Sequence, residues 1–146
     1  MPRTVHLLNG PNLNLLGQRQ PEVYGRTTLP EIEADCLRLA EALGLALLCR
    51  QSNHEGVLID WVQEARGVAS ALVINPGGLT HTSVALLDAL NAFEGPVIEV
   101  HLSQIHRREA FRHRSFVSYR ADAVLAGMGP QGYAAALRYL AEMLDA

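Results

Sequence analysis

ALVINPGGLTHTSVALLDALNAFEGPVIEVHLS, residues 71 to 103, decides the fold. It opens on an apolar run, Ala71 to Asn75, that breaks at Asn-Pro-Gly-Gly, a cluster of turn-forming residues. A helical pattern follows, from about Thr80 to Phe93, closed by Gly95-Pro96. A second apolar run, Val97 to His101, completes a strand–helix–strand unit. Such a unit winds right-handed against a parallel sheet.

The same alternation continues on both sides. Further strands are expected at Thr4 to Leu8, Ala46 to Arg50 and Ala123 to Ala126. All the runs are nearly continuous in apolar residues, as strands buried on both faces should be. One intervening helix carries Ile32, Cys36, Leu39 and Leu43 at helical spacing, with Thr28 and Glu31 as a capping box at its start. Another carries Leu58, Val62 and Ala65, with Ser52 and Glu55 as a second box and Gly67 as its stop. The last runs from about Pro130 to Leu144, with Tyr133, Leu137, Leu140 and Leu144 on one side. Residues 1–146 therefore read as a single α/β domain of flavodoxin-like, three-layer form. Its five-stranded parallel sheet would take the order 2-1-3-4-5, with helices on both faces.

Composition narrows the function. Hydrophobic residues make up 49% and charged residues 18% of the chain, values of an ordinary folded protein. Net charge is −3, which argues against nucleic acid as the main partner. No apolar run reaches the roughly 20 residues of a membrane span, and the start of the chain is too soon polar for a signal peptide. Cys36 and Cys49 have no metal or redox spacing, so reduced thiols and a cytoplasmic location are expected. All 12 Lys+Arg residues are arginine. The absence of lysine excludes Schiff-base catalysis and a lysine-bearing phosphate loop.

Ligands of such sheets bind beyond the carboxyl ends of the strands. There the chain places Asn9-Gly10-Pro11-Asn12, Gln51-Ser52-Asn53-His54, Asn75-Pro76-Gly77-Gly78 and Gly127. Glu99 interrupts a buried strand, and a carboxylate there needs a partner. His101, two residues on, points to the same face. The pair reads either as a structural hydrogen bond or as a general acid held in one tautomer by its carboxylate. His81 is placed at the start of the third helix, where polar ligands gather. Asp88 would share its helical face about 10 Å farther along the axis. It is therefore either a surface charge or a group serving a neighbouring subunit. HRREAFRHR, residues 106 to 114, is either a solvated basic segment or an arginine site for a carboxylate or polyol, with Arg108 and Arg112 on one face. In GQRQPEVYG, residues 17 to 25, Tyr24 lies between Arg19 and Arg26 in a Gly- and Pro-bounded loop. It is either a half-buried loop aromatic or a base on a lid, since a guanidinium favours a phenolate.

Taken together, LLNGPNLNLLG (7–17), Arg19, PEVYG (21–25), QSNHEG (51–56), INPGG (74–78), THTSVAL (80–86), EVHLS (99–103) and FRH (111–113) resemble the type II 3-dehydroquinate dehydratase family. The resemblance spans almost the whole chain. It implies reversible dehydration of 3-dehydroquinate to 3-dehydroshikimate, by anti elimination through an enolate, with no metal and no cofactor. By that resemblance Tyr24 is the base, Arg19 keeps it ionised, and Asn12 holds a water at the enolate oxygen. His101 is the acid and Glu99 orients it. Asn75 and the backbone amides of Leu102 and Ser103 would hold the substrate carboxylate, and His81 and Arg112 the ring hydroxyls. Asp88 would reach a neighbouring site in a homo-oligomer, trimers packed into a dodecamer. Gln20, Leu79, Leu87 and Gln104 depart from the usual family pattern without touching a catalytic position. The rival readings are a non-catalytic flavin- or small-ligand-binding module, a phosphoacceptor signalling domain and a metal-dependent lyase, for which no pair of the six histidines has a strong ligand spacing. The first lacks a Ser/Thr-rich phosphate loop, and the second lacks lysine and has Asn75 where an Asp is needed.

Overall fold

The computed structural model describes residues 2–145. Five parallel strands stand in the order β2-β1-β3-β4-β5. They are β1 (Arg3–Asn9), β2 (Leu45–Gln51), β3 (Ala71–Asn75), β4 (Val97–His101) and β5 (Ala123–Ala126). The last three have the expected bounds. The first two are each one residue longer at both ends. The fold is the expected three-layer α/β arrangement.

Alternation along each strand divides the core in two. Val5, Leu7, Val73, Ile98 and Val100 face helices α2 (Leu29–Ala42) and α5 (Gln131–Asp145). Leu8, Leu72, Ile74 and Val97 face α3 (Glu55–Ala65) and α4 (Val84–Asn91). The central strands β3 and β4 are buried throughout. The expectation of burial on both faces fails for β2 and β5. They are the sheet edges, so Leu48 and Val124 stay exposed.

Two helix starts differ from the sequence reading. Thr28 does cap α2, its Oγ1 accepting from the Glu31 N–H. Ser52 does not cap α3. His54 is the N-cap residue, and the Ser52 hydroxyl accepts from the His54 N–H instead. The third helix is broken. Residues Gly77–His81 form a 3-10 segment, and α4 begins only at Val84, after Ser83 caps it by accepting from Leu86 N–H at 2.9 Å. His81 thus ends a 3-10 turn rather than opening an α-helix, and the shared-helix relation between His81 and Asp88 does not hold.

Two glycines bring the loops after β1 and β3 into contact. A Cβ on Gly10 would lie 2.5 Å from the Pro76 carbonyl oxygen. Gly77 adopts φ +59, and a Cβ there would lie 2.9 Å from the Pro11 oxygen. Only residues without a side chain allow this approach. The Gly10 N–H donates to the Asn75 carbonyl at 2.8 Å, which ties the two strand ends together.

Candidate active site

A cavity of about 170 Å³ opens above the carboxyl ends of β1, β3 and β4. The loop after β1 supplies Asn12, Arg19 and Tyr24. The loop after β3 supplies Gly77, Gly78 and His81, and Asn75 stands at the strand's end. The chain after β4 supplies His101, Leu102, Ser103, Arg108 and Arg112. Of the residues singled out in the sequence, Glu99 lies behind this wall and Asp88 lies outside it, exposed on α4. A larger hollow, about 450 Å³, lies at the opposite edge of the sheet, between turns 66–70 and 92–95. It gathers one arginine and one glutamate among small and apolar residues, so chemistry rather than size marks the first cavity.

Tyr24 ends a single helical turn, α1 (Pro21–Tyr24), so the Gly- and Pro-bounded stretch is partly helical rather than all loop. Its ring is flanked by two cations. The Arg19 guanidinium carbon lies 5.0 Å from the ring centroid, and that of Arg108 lies 5.2 Å from it. Arg108 also donates to the Ser103 hydroxyl at 3.2 Å. The sequence placed Arg108 in a basic cluster, on a face with Arg112, and gave it no partner. Its neighbour is the Tyr24 ring, far away along the chain, while Arg112 pairs with Glu109 at 2.7 Å. Arg26 has no place in the cavity lining.

Glu99 is fully buried, and its carboxylate is enclosed by donors. His101 Nε2 bonds to Oε2. Ser115 donates to the same oxygen at 2.9 Å and Thr80 at 3.1 Å, while Ser118 donates to Oε1 at 2.6 Å. Burial alone would push the carboxyl's pKa up. The bonds from His101, Ser118 and Ser115 and the charge on His101 outweigh it and hold the pKa below the ordinary value of 4.5. His101 Nε2 is committed to Glu99, so Nδ1 is the nitrogen left for a ligand. The three hydroxyl donors escaped sequence reading, because a buried carboxylate signals that donors are needed without saying which residues supply them.

Ser118 is the sole protein donor to Oε1 among the described residues. Ser118→Ala should therefore lower stability by about 1–3 kcal/mol at neutral pH, the cost of an unpaired buried acceptor. Urea denaturation checks this. The native carboxyl titrates below its unfolded value, so its stabilisation is complete above about pH 4.5 and lost as pH falls through the lower native value. The gap between wild type and Ser118→Ala should close over that acidic range.

His81 Nδ1 bonds to the Arg114 carbonyl at 2.7 Å, and a carbonyl can only accept. Nδ1 therefore carries the proton. Burial pushes the His81 pKa down, against the raising effect of that carbonyl, and the His101 and Arg112 charges lower it further. The neutral ring leaves Nε2 as an acceptor, suited to a ligand hydroxyl. Asn12 holds φ 70, a left-handed conformation asparagine tolerates, with its N–H donating to Asn53 Oδ1 at 2.9 Å.

The cavity thus sets a phenol between two guanidiniums and a carboxylate-backed imidazole into one wall. Among the described residues, no three His, Cys, Asp or Glu stand together as a metal site, and no helix is long and apolar enough to cross a membrane.

Comparison with known proteins identifies the family. The family model described as "Dehydroquinase class II" matches residues 3–141. The protein named 3-dehydroquinate dehydratase 2 of Agrobacterium fabrum is 64% identical over 139 residues, covering 95% of each chain. A 3-dehydroquinate dehydratase of Cereibacter sphaeroides is 57% identical over 143 residues, covering 98% of this chain and 97% of its own. Among solved structures, a type II dehydroquinase from Propionibacterium acnes has a TM-score of 0.94 at 40% identity, covering 97% of this chain and 98% of that one.

Proposed function

The chain belongs to the class II dehydroquinase family, and from that premise we propose that its cavity dehydrates 3-dehydroquinate to 3-dehydroshikimate through an enolate. The chain is a hydro-lyase of the type II class, and the flavin-binding and signalling readings are not favoured. The observation that carries the division of labour is Tyr24, set between Arg19 and Arg108, sharing one cavity with the His101–Glu99 pair.

Tyr24 removes the proton at C2, beside the ketone. That proton is weakly acidic, so a phenolate, a strong base once formed, suits the task. Arg19 and Arg108 supply the positive charge that favours it. Asn12 positions a water at the oxygen where enolate charge develops. His101 gives a proton from Nδ1, the nitrogen not bonded to Glu99, to the departing hydroxyl on the opposite face. Glu99, fixed by its hydroxyl donors, holds the ring and balances its charge. Asn75 and the amides of Leu102 and Ser103 take the carboxylate, while His81 Nε2 and Arg112 take ring hydroxyls. Closure of the stretch 18–25 excludes water. No step calls for a metal or cofactor.

Asp88 serves the assembly reading. It is exposed and outside the cavity of its own chain. We place it at a neighbouring subunit's site in trimers packed as a dodecamer. Asp88→Ala should raise KM several-fold with little change in kcat, and an unchanged KM in steady-state kinetics would reject the placement. A cytoplasmic setting accords with the unpaired thiols Cys36 and Cys49. Desolvation pushes the pKa of the buried Cys36 thiol up to about 11 and that of the half-buried Cys49 thiol up to about 12.

The reaction itself is tested by ultraviolet absorbance. The product is a conjugated enone and the substrate is not, so 3-dehydroquinate with purified protein in chelator should give a rise in absorbance. No rise from folded protein would overturn the reading.

A further inference from the structure

Behind the cavity floor lies a hydrogen-bonded chain in which Asn9 and Tyr133 have no role in the proposed reaction. Asn9 and Asn75 are register partners at the ends of β1 and β3, on the face covered by α5. Tyr133 of α5 stands between them. All three are buried, Tyr133 and Asn9 completely. The Tyr133 hydroxyl donates to Asn9 Oδ1 at 2.6 Å and accepts from Asn75 Nδ2 at 2.9 Å. Asn75 Oδ1 in turn accepts from the Gly77 N–H at 3.2 Å.

The polarity of this chain is fixed at one end. A backbone N–H can only donate, so Gly77 forces the oxygen of Asn75 toward itself. The Asn75 amide nitrogen must then face Tyr133, whose oxygen accepts from it. The phenol proton is left to go to Asn9, which turns Asn9 Oδ1 inward. Burial pushes the Tyr133 pKa upward, so the phenol keeps that proton. Asn9 Nδ2 ends the chain as the one buried side-chain polar atom without a partner among the described residues. An unpaired buried donor costs about 1–3 kcal/mol, and apolar residues in the three positions would avoid the cost. What the network achieves is visible at its other end. Asn75 lines the cavity, and with its oxygen turned toward Gly77, its one uncommitted amide proton is available to a ligand.

We propose that Tyr133 is a positioning residue that, through Asn75, makes the cavity floor a one-way hydrogen-bond donor selecting an oxygen acceptor, the substrate carboxylate. This rests on the reading of Asn75 as a carboxylate-binding residue. Without the phenol, the Asn75 amide nitrogen loses the acceptor that holds its plane, and its remaining N–H no longer points at a fixed place.

A double-mutant cycle tests this on the full-length protein, with KM and kcat from enone absorbance and Kd for 3-dehydroquinate from calorimetry with Tyr24→Phe added to each variant to slow turnover. Tyr133→Phe should raise KM and Kd about tenfold, the loss of one well-placed bond to a charged acceptor, with kcat within about threefold. Asn75→Ala should raise both at least as much. Adding Tyr133→Phe to Asn75→Ala should then change nothing further, because Tyr133 acts through Asn75. If Tyr133→Phe does not fold, Asn9→Leu keeps the phenol as the acceptor of the Asn75 amide, so KM and Kd should stay within about twofold of wild type, and a tenfold rise would overturn the proposal. Unchanged KM and Kd in Tyr133→Phe, or an equal rise in the Asn75→Ala background, would overturn the proposal. A wild type that binds 3-dehydroquinate without turning it over would sink the reaction instead, and the relay would be judged on Kd.

Discussion

Tyr24→Phe should lower kcat by about 10²–10⁴-fold, the contribution of a positioned general base. Its melting temperature should stay within a degree or two of wild type. Among the described residues the Tyr24 hydroxyl makes no protein hydrogen bond, so its removal leaves nothing unpaired. The ring itself packs against the α2/α5 core cluster, and phenylalanine preserves that packing. The two flanking guanidiniums keep their face contact with the ring as well. Only proton abstraction should suffer. Turnover within a few-fold of wild type would remove Tyr24 from the role of base and make Arg19, Tyr24 and Arg108 a structural stack.

His101→Asn should also reduce turnover by about 10²–10⁴-fold, at the second half of the reaction. The hydroxide-like leaving group would have no proton donor, while Tyr24 and its arginines would be untouched. Enolate should still form and return to substrate. This variant does cost stability, because Glu99 Oε2 loses its strongest donor and keeps Thr80 and Ser115. A loss of about 1–3 kcal/mol is expected, and kinetics belong well below the variant's melting temperature. Retained overall turnover would mean that His101 serves to satisfy the buried carboxylate and nothing more.

The sheet was legible because β3, β4 and β5 are short apolar runs bounded by Pro, Gly and His, and their bounds are the expected ones. The departures have local causes. THTSVAL offers three hydroxyl residues near the helix start, Thr80, Thr82 and Ser83. The sequence reading began the helix at about Thr80. In the structure Thr80 is taken by the Glu99 carboxylate, so Ser83 caps α4 and the helix starts late. A long-range polar demand overrode a local preference. The same reasoning explains what was missed at the site. Ser115 and Ser118 lie 16 and 19 residues beyond Glu99, in short turns with no periodicity to connect them. Tyr133 reads as one more apolar position of α5, and only the register of Asn9 with Asn75 shows that its hydroxyl has work. Arg108 was visible as charge, but its stacking on Tyr24 depends on how two distant loops meet. Residue types revealed the cavity's wall, and tertiary structure revealed what holds that wall in place.

The central claim is that Tyr24 forms the enolate and His101 completes the elimination. Hydrogen exchange at C2 of 3-dehydroquinate, followed by proton magnetic resonance in deuterium oxide, separates these steps. The account predicts that His101→Asn catalyses exchange well above the enzyme-free rate while making little product, and that adding Tyr24→Phe abolishes that exchange. No exchange with His101→Asn, or exchange that persists in the double variant, would contradict it.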